Sequence, residues 1–257
     1  MKISLTVLGS GSGNPSAERS CSGYVLECDG KLLLFDCGSG VSSSFVRSAF
    51  DSSKVEAIFI SHMHPDHISD LPIFIQLLYL ADRVEPLTVY LPAEAVKPVK
   101  KYLNACYLFD EKLPFKLELK AVNEPVKALE GKAEIRPIVN LHLMGNSQII
   151  EATDYPNKME CYSYLIKAGN KRLLYTGDIA AMDEMEPYLD GLDVLITETT
   201  HIATARLPEL IDKNHIANVI LSHIGDDDAS DILKFANSWN AAGKIVVGED
   251  NLTIKVE

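Results

Sequence analysis

Residues 61–71 read SHMHPDHISDL, and they directly follow the apolar run KVEAIFI. That run predicts a buried β-strand, so the polar cluster begins where the strand ends. Imidazole and carboxylate groups are the ligands that a cation such as zinc takes from a protein when thiolates are absent. In an irregular loop, His62 and His64 can face one point while Asp66 and His67 face a neighbouring one. The stretch therefore predicts two adjacent halves of a metal centre.

Strand-like and helix-like patterns continue on both sides of this stretch. Before it, ISLTVLG and GYVLECDGKLLLFD read as strands, and the Asp29-Gly30 pair marks a hairpin turn. After it, ISDLPIFIQLLYLADR and AEAVKPVKKYLNA have helical length, with the strand TVYLP between them. The middle of the chain reads mainly as strands, and the last third alternates again. We expect one α/β domain over residues 1–257: a four-layer αββα sandwich of two mainly antiparallel or mixed β-sheets with helices on the outside.

The composition excludes several classes of protein. With 257 residues, 47% of them hydrophobic, the chain can bury a substantial core. A net charge of −12 disfavours a broad basic surface for structured nucleic acid. No run approaches the roughly 18–20 apolar residues of a membrane span, so we expect no membrane partner. The five cysteines form no CxxC pair, which favours reduced thiols and a cytoplasmic location.

Single polar residues directly follow several other apolar runs. These residues are Asp36, His142, Asp178 and His223. Because strand ends of packed sheets can share one rim, these side chains can lie near the first stretch and complete its ligand sets.

Seven motifs, in chain order, resemble the metallo-β-lactamase fold superfamily, and within it the branch of ribonuclease Z and small phosphodiesterases. They are LGSGSGNPSAERSCSGY, LLLFDCGSG, SHMHPDH, a later LH, LLYTGD, ITETTH and VILSHI. The resemblance implies two divalent metal ions, each with three private ligands and one shared carboxylate. The first metal would take His62, His64 and His142, the second Asp66, His67 and His223, and Asp178 would bridge them. Zinc is the expected metal, with manganese or iron as alternatives, and a bridging hydroxide the expected nucleophile.

Four further roles are implied by the same resemblance. Asp36 would accept the N–H of a ligand histidine from outside the metal shell, the alternative being a loop-capping aspartate. His201 would contact the scissile phosphate or protonate the leaving oxygen, oriented by Glu198; the alternative is that it caps the following helix. Asp66 or Asp178 would also relay the proton of the nucleophile.

The segment after His142 departs from the resembled pattern. MGNSQIIEATDYPNKME separates it from the next strand, which is longer than the usual connection. We interpret this segment as an insertion bordering the site. No other histidine lies between His67 and His201, so His142 remains the central candidate ligand.

These residues predict a binuclear metal-dependent hydrolase, and a phosphodiesterase first. The opening GSGSGNPSAERS resembles ribonuclease Z, so a tRNA 3′-processing endonuclease is one alternative. However, no long Gly/Pro-rich basic arm follows TVYLP, and the chain is acidic. We therefore expect a small-molecule or unstructured phosphodiester as substrate, with structured nucleic acid less favoured.

Two other readings of the chain stay open. Lactone or thioester hydrolysis is a second alternative, for which Tyr155, Tyr162 and Tyr164 are candidate hydroxyls. A non-catalytic binding protein is disfavoured because all seven ligands are present. The stretches PIFIQLLYL and YLNACYLF offer apolar helix surface that would suit a homodimer, although they would equally suit the core.

Overall fold

The computed structural model describes residues 1–239 and 244–256, and within them two seven-stranded β-sheets form the centre of the molecule. The first sheet has the strand order β14-β1-β2-β3-β4-β5-β6. Its strands are β1 Ile3–Gly9, β2 Gly23–Cys28, β3 Lys31–Phe35, β4 Val55–Phe59, β5 Leu87–Leu91, β6 Leu117–Ala121 and β14 Thr253–Lys255. The strands from β14 to β3 pair antiparallel, and those from β3 to β6 pair parallel.

The second sheet has the same division into an antiparallel and a parallel half. Its order is β13-β12-β11-β10-β9-β8-β7, antiparallel from β7 to β10 and parallel from β10 to β13. Its strands are β7 Val126–Ala128, β8 Ala133–Val139, β9 Tyr162–Ala168, β10 Lys171–Tyr175, β11 Val194–Glu198, β12 Asn218–Ser222 and β13 Ile245–Val247. Both sheets are therefore mixed, which is one of the two forms expected from the sequence.

Helices cover the outer faces of the two sheets. The α-helices are α1 Val41–Arg47, α2 Pro65–Ile68, α3 Leu71–Leu80, α4 Val96–Ala105, α5 Ser147–Glu151, α6 Leu207–Lys213 and α7 Ala229–Trp239. Short 3-10 helices are Ser52–Lys54, Ala93–Ala95, Leu129–Gly131, His142–Asn146, Met182–Glu184, Glu186–Tyr188 and Thr204–Arg206. None of the helices within the described ranges has the length and apolar character that crossing a membrane requires.

Three apolar layers hold the elements together. The central layer lies between the sheets and includes Phe59 from the first sheet and Tyr164 from the second, whose ring centroids are 5.7 Å apart. A second layer packs the first sheet against α1, α3 and α4. A third packs the second sheet against α6 and α7. This arrangement confirms the predicted four-layer αββα sandwich.

Two details of the chain follow from backbone geometry. The hairpin between β2 and β3 turns at Asp29 and Gly30, with φ of 48° and 81°, as a type I′ turn requires. The helix predicted for ISDLPIFIQLLYLADR is shorter in the structure and begins only at Leu71. Pro72 suits the first turn of that helix, and the Asp70 carboxylate accepts the N–H of Ser42 at 2.6 Å, which fixes the preceding turn to α1.

Candidate metal centre

Strands from both sheets end at one rim, where they present polar side chains. Asp36 follows β3, and His62 comes soon after β4. On the second sheet, Asp178 follows β10 and His223 follows β12. His142 begins a 3-10 helix just after β8. The order of strands in the sandwich thus brings together side chains that are far apart in the chain.

The first half of the centre consists of His62, His64 and His142 together with Asp178. One potential ligand atom from each lies within 4.8 Å of the others. Nδ1 of His64 is 3.2 Å from Nε2 of His142, which is 3.6 Å from Oδ2 of Asp178. Two nitrogen ligands of one tetrahedral zinc stand about 3.3 Å apart, given Zn–N bonds of about 2.0–2.1 Å. The spacing in this half-site suits a shared cation.

The second half consists of Asp66, His67 and His223 around the same Asp178 carboxylate. Oδ2 of Asp66 is 3.4 Å from Nε2 of His67 and 3.1 Å from Nε2 of His223. Asp178 is 3.2 Å from Nε2 of His67 through Oδ1 and 3.3 Å from Nε2 of His223 through Oδ2. Because Asp178 faces both half-sites, its carboxylate is positioned to be shared.

Three buried atoms of this cluster have no hydrogen bond within the part of the chain that the structure describes. They are Nε2 of His62, Nε2 of His67 and Oδ1 of Asp178. Leaving buried polar atoms unpaired is costly, and native proteins rarely do so. The last two are only 3.2 Å apart without forming a hydrogen bond, which is the relation expected of two ligands of one ion. The residues therefore fit metal ions.

Hydrogen bonds behind the ligands orient three of the imidazoles. Asp36 accepts from Nδ1 of His67 at 2.7 Å and from both the backbone N–H and the hydroxyl of Ser61 at 2.7 Å. The Ser61 hydroxyl oxygen is 3.0 Å from Nδ1 of His62, and can accept its N–H. On the second sheet, Nδ1 of His223 is 3.1 Å from the Thr200 hydroxyl. Each contact keeps a proton on Nδ1 and leaves Nε2 free to bind a metal.

Asp36 is held in place more firmly than a loop-capping aspartate would be. It is fully buried, has a φ of 57°, and also accepts a hydrogen bond from the hydroxyl of Tyr175. Sequence reasoning missed Ser61, Thr200 and Tyr175. Ser61 stands directly before His62, but a hydroxyl in that position carries no spacing signal of its own.

Burial and charge set the protonation of the ligands. Burial lowers the pKa of His62, His64 and His142, which favours their neutral form. Burial opposes ionisation of Asp66, but its contacts with His223 and His67 lower its pKa. Neutral imidazoles and ionised carboxylates are the forms that bind cations. Burial also opposes protonation of His67, but the charges of Asp178 and Asp36 raise its pKa, so a bound cation would replace a proton there.

His201 and Glu198 form a pair beside the ligand cluster. Oε2 of the buried Glu198 accepts from Nδ1 and from the backbone N–H of His201, both at 2.7 Å, while Oε1 accepts from Ile179 N–H at 2.7 Å. Nδ1 of His201 is 4.0 Å from Oδ2 of Asp178. The hydrogen bond that His201 donates to the Glu198 carboxylate raises the pKa of His201, although burial opposes it. His201 does not cap a helix, since the next helix is the 3-10 helix Thr204–Arg206 and its N-cap residue is Ala203.

Close backbone approach also shapes the centre. A Cβ added to Gly38 would lie 2.0 Å from the carbonyl oxygen of Asp66, so no larger residue fits there without moving the metal-site loop. A Cβ on Gly13 would lie 3.3 Å from Oδ2 of Asp66, which places the N-terminal Gly/Ser loop beside the second half-site.

The tyrosines considered for carbonyl chemistry are placed differently from one another. Tyr164 is fully buried, and its hydroxyl donates to the carbonyl oxygen of Ile60 at 2.7 Å. Tyr162 is buried in the central core layer. Tyr155 is 62% exposed, in the segment after His142. Of the three, Tyr155 alone has a side chain that a substrate can reach.

Comparison with known proteins identifies the family. A family model described as Anti-Pycsar protein Apyc1 matches residues 3–232. The chain belongs to this family. It is also 35% identical over 105 residues to ribonuclease Z of Methanococcus maripaludis strain C5, a match covering 41% of this chain and 33% of that protein. It is 27% identical over 232 residues to ribonuclease Z of Pyrococcus abyssi, covering 78% of this chain and 75% of that protein.

A solved structure supports the same placement at the level of fold. The metallo-β-lactamase fold protein YhfI from Bacillus subtilis superposes with a TM-score of 0.73 at 23% identity, covering 99% of this chain and all of that one. The predicted metallo-β-lactamase fold and the resemblance to the ribonuclease Z branch are confirmed. The aligned part of this chain corresponds to about a third of the M. maripaludis protein and three quarters of the P. abyssi protein.

Proposed function

We propose that the protein is a binuclear metal-dependent phosphodiesterase whose substrates are small or unstructured phosphodiesters. The observation that carries the proposal is the pair of half-sites around Asp178, whose ligand atoms have the spacing of metal ligands. The first half-site would use His62, His64 and His142, and the second Asp66, His67 and His223. Two zinc ions are the first choice, with manganese or iron as alternatives.

Bound divalent ions would supply Lewis acidity and a water molecule of lowered pKa. The residues of the chain supply the rest. Asp66, the most exposed ligand of the second half-site, would accept the proton of an attacking water. The Glu198 carboxylate holds Nδ1 of His201, which leaves Nε2 to donate a proton to the departing oxygen.

The choice of a small diester rests on charge and on the region after β5. The net charge is −12, and the chain between β5 and β6 consists of a 3-10 turn, helix α4 and a short loop, without a long basic extension. A precursor tRNA is the second candidate, favoured by the name of both curated relatives. Lactone or thioester hydrolysis is weaker, since two of its three candidate tyrosines are buried.

Three other features belong to the same proposal. The two sheets share one core, which supports treating residues 1–257 as one domain. Five unpaired cysteines support a cytoplasmic location. Exposed apolar residues on α3 and after α4, Ile73 and Tyr107 among them, would suit a homodimer contact.

The test is hydrolysis of bis-p-nitrophenyl phosphate by zinc-reconstituted protein and by its Asp178→Ala variant. We expect turnover in the first and a loss of at least about a thousandfold in the second, because both half-sites lose their shared carboxylate. Asp212→Ala, on the exposed face of α6, is the matched control and should retain activity.

Two results would contradict the proposal in different ways. Absence of hydrolysis by fully metal-loaded protein would remove the phosphodiesterase assignment. Cleavage of a structured precursor tRNA much faster than any small diester would instead replace the proposed substrate class with the second candidate.

A further inference from the structure

A cavity of about 270 Å³ adjoins the first half-site, and His64 forms part of its wall. Most of the remaining wall is apolar: Met63, Leu143, Ile149, Ile150, Tyr155 and Met159. Five of these six residues lie between His142 and β9. The volume is just below the roughly 300–1,000 Å³ of pockets for drug-sized ligands, so it suits one substituent of a substrate.

Apolar side chains in this wall are exposed to solvent. Ile149 is 59% exposed and Tyr155 is 62% exposed. A single exposed apolar residue is ordinary, but two on the wall of one cavity beside a candidate metal centre can be buried together by a ligand. Burial of this surface would favour binding of an apolar group.

Hydrogen bonds hold the segment in place and preform the cavity. The Glu94 carboxylate accepts from the backbone N–H groups of Lys158 and Glu160, the second at 3.1 Å. In return, the Glu160 carboxylate accepts from the Glu94 N–H at 3.1 Å. These bonds tie the end of the segment to the 3-10 turn after β5. Glu94 lines the cavity, but its negatively charged carboxylate already accepts these backbone hydrogen bonds.

The polar groups in the wall favour an uncharged ligand with a hydrogen-bonding edge. Asn146 and Asn157 contribute amide groups. Asn146 uses one N–H to donate to the Leu143 carbonyl oxygen at 3.1 Å, which leaves its other N–H and its oxygen. Among the residues that the structure describes, no lysine or arginine lines this cavity, so these residues offer no cation to a second phosphate.

We infer that this cavity selects phosphodiesters in which one ester substituent is a compact, uncharged aromatic or heteroaromatic group. The inference rests on the proposed phosphodiesterase function and names the substrate class of the same centre. A phosphate held at the half-sites would stand next to His64, so one of its substituents would enter the cavity. Tyr155 would contact the face of the ring, and the thioethers of Met63 and Met159 would contact its edge.

The first test measures binding without turnover. Zinc-loaded protein is titrated calorimetrically with phenylphosphonate and with methylphosphonate, which share the metal-binding group. We expect phenylphosphonate to bind about tenfold more tightly in the wild type, from burial of the ring. Ile149→Asp should reduce this ratio to about threefold or less. Val46→Asp is the matched control, since Val46 is 58% exposed and lies on α1, and it should retain the wild-type ratio.

Equal affinity for the two phosphonates in the wild type would overturn the inference. So would a preference for the phenyl compound that survives Ile149→Asp undiminished.

The second test measures kcat/KM for bis-p-nitrophenyl phosphate and for methyl p-nitrophenyl phosphate, which share a leaving group. In Ile149→Asp we expect the ratio of the first value to the second to fall about tenfold, mainly through KM. A phenyl preference in binding without hydrolysis of either diester would retain the cavity and reject the phosphodiesterase. Hydrolysis of both diesters without any aromatic preference would do the reverse.

Discussion

The two half-sites of the candidate metal centre use the same kinds of ligand, but the protein holds them differently. In the second half-site, His67 and His223 are buried, and each has its other ring nitrogen engaged, by Asp36 and by the Thr200 hydroxyl. In the first, His62 is similarly held by Ser61, but His64 and His142 are partly exposed. No hydrogen bond among the described residues fixes Nε2 of His64 or Nδ1 of His142.

This difference suggests that the two half-sites have different roles: the second holds its metal ion, and the first faces the substrate. Oriented, buried imidazoles lose little freedom when they bind a cation, so the second half-site should hold its ion more tightly. In the first half-site, the two imidazoles without an orienting hydrogen bond lie on the side of the cavity and of His201. We therefore expect the second half-site to anchor the centre and the first to exchange its ion more readily.

The largest effects should come from removing one ligand on each side. His67→Ala should abolish binding of one zinc ion, because the buried half-site loses a ligand and Asp36 loses one of its hydrogen-bond donors, and turnover should fall at least about a thousandfold. In His142→Ala, the ion of the first half-site should be lost at limiting zinc and should return when zinc is in excess. The two variants are compared by their zinc content, measured by mass spectrometry, and by their turnover of bis-p-nitrophenyl phosphate. If excess zinc restored the second ion in His67→Ala but not in His142→Ala, the first half-site would be the one that holds its ion more tightly.

A smaller effect should follow from changing the groups behind the ligands. Asp36→Asn should lower zinc affinity by about 10–100-fold, because the amide accepts the His67 N–H less strongly than a carboxylate does. Asp212→Asn is the control, because it makes the same change from carboxylate to amide on the exposed face of α6. Competition with a chromophoric chelator measures both. An unchanged affinity in Asp36→Asn would mean that burial alone orients His67.

The fold and most of the ligand set could be predicted from the sequence, because both follow from local patterns of apolar and polar residues. Each apolar run ends at a polar residue, and parallel strand ends meet at one rim, so Asp36, Asp178 and His223 could be expected near His62. The alternation of strands and helices was sufficient to predict four layers. The shorter helix α3 was missed because the Asp70–Ser42 contact that precedes it is not local.

The supporting contacts could not be predicted, because they join distant parts of the chain through ordinary residues. Tyr175 meets Asp36 across 139 residues, and Thr200 meets His223 across 23. The bonds between Glu94 and Glu160 that preform the cavity join positions 66 residues apart. None of these residues has a spacing or residue type that distinguishes it from a surface threonine, tyrosine or glutamate elsewhere.

The smallest expected effect concerns proton transfer on the exposed side. His201 lies beside His142, with ring centroids 4.8 Å apart, and the hydrogen bond that His201 donates to the Glu198 carboxylate raises the pKa of His201. A histidine that donates its proton in the reaction is active below its pKa and inactive above it. Glu198→Gln removes the negative charge and lowers that pKa, so the alkaline limb of the kcat profile should move about one pH unit lower. At neutral pH the loss should stay below about tenfold.

Zinc content should not change, because Glu198 belongs to neither half-site, and this separates proton transfer from metal loss. An alkaline limb that stays in place at full zinc occupancy would assign the proton to another group and leave His201 only a positional role.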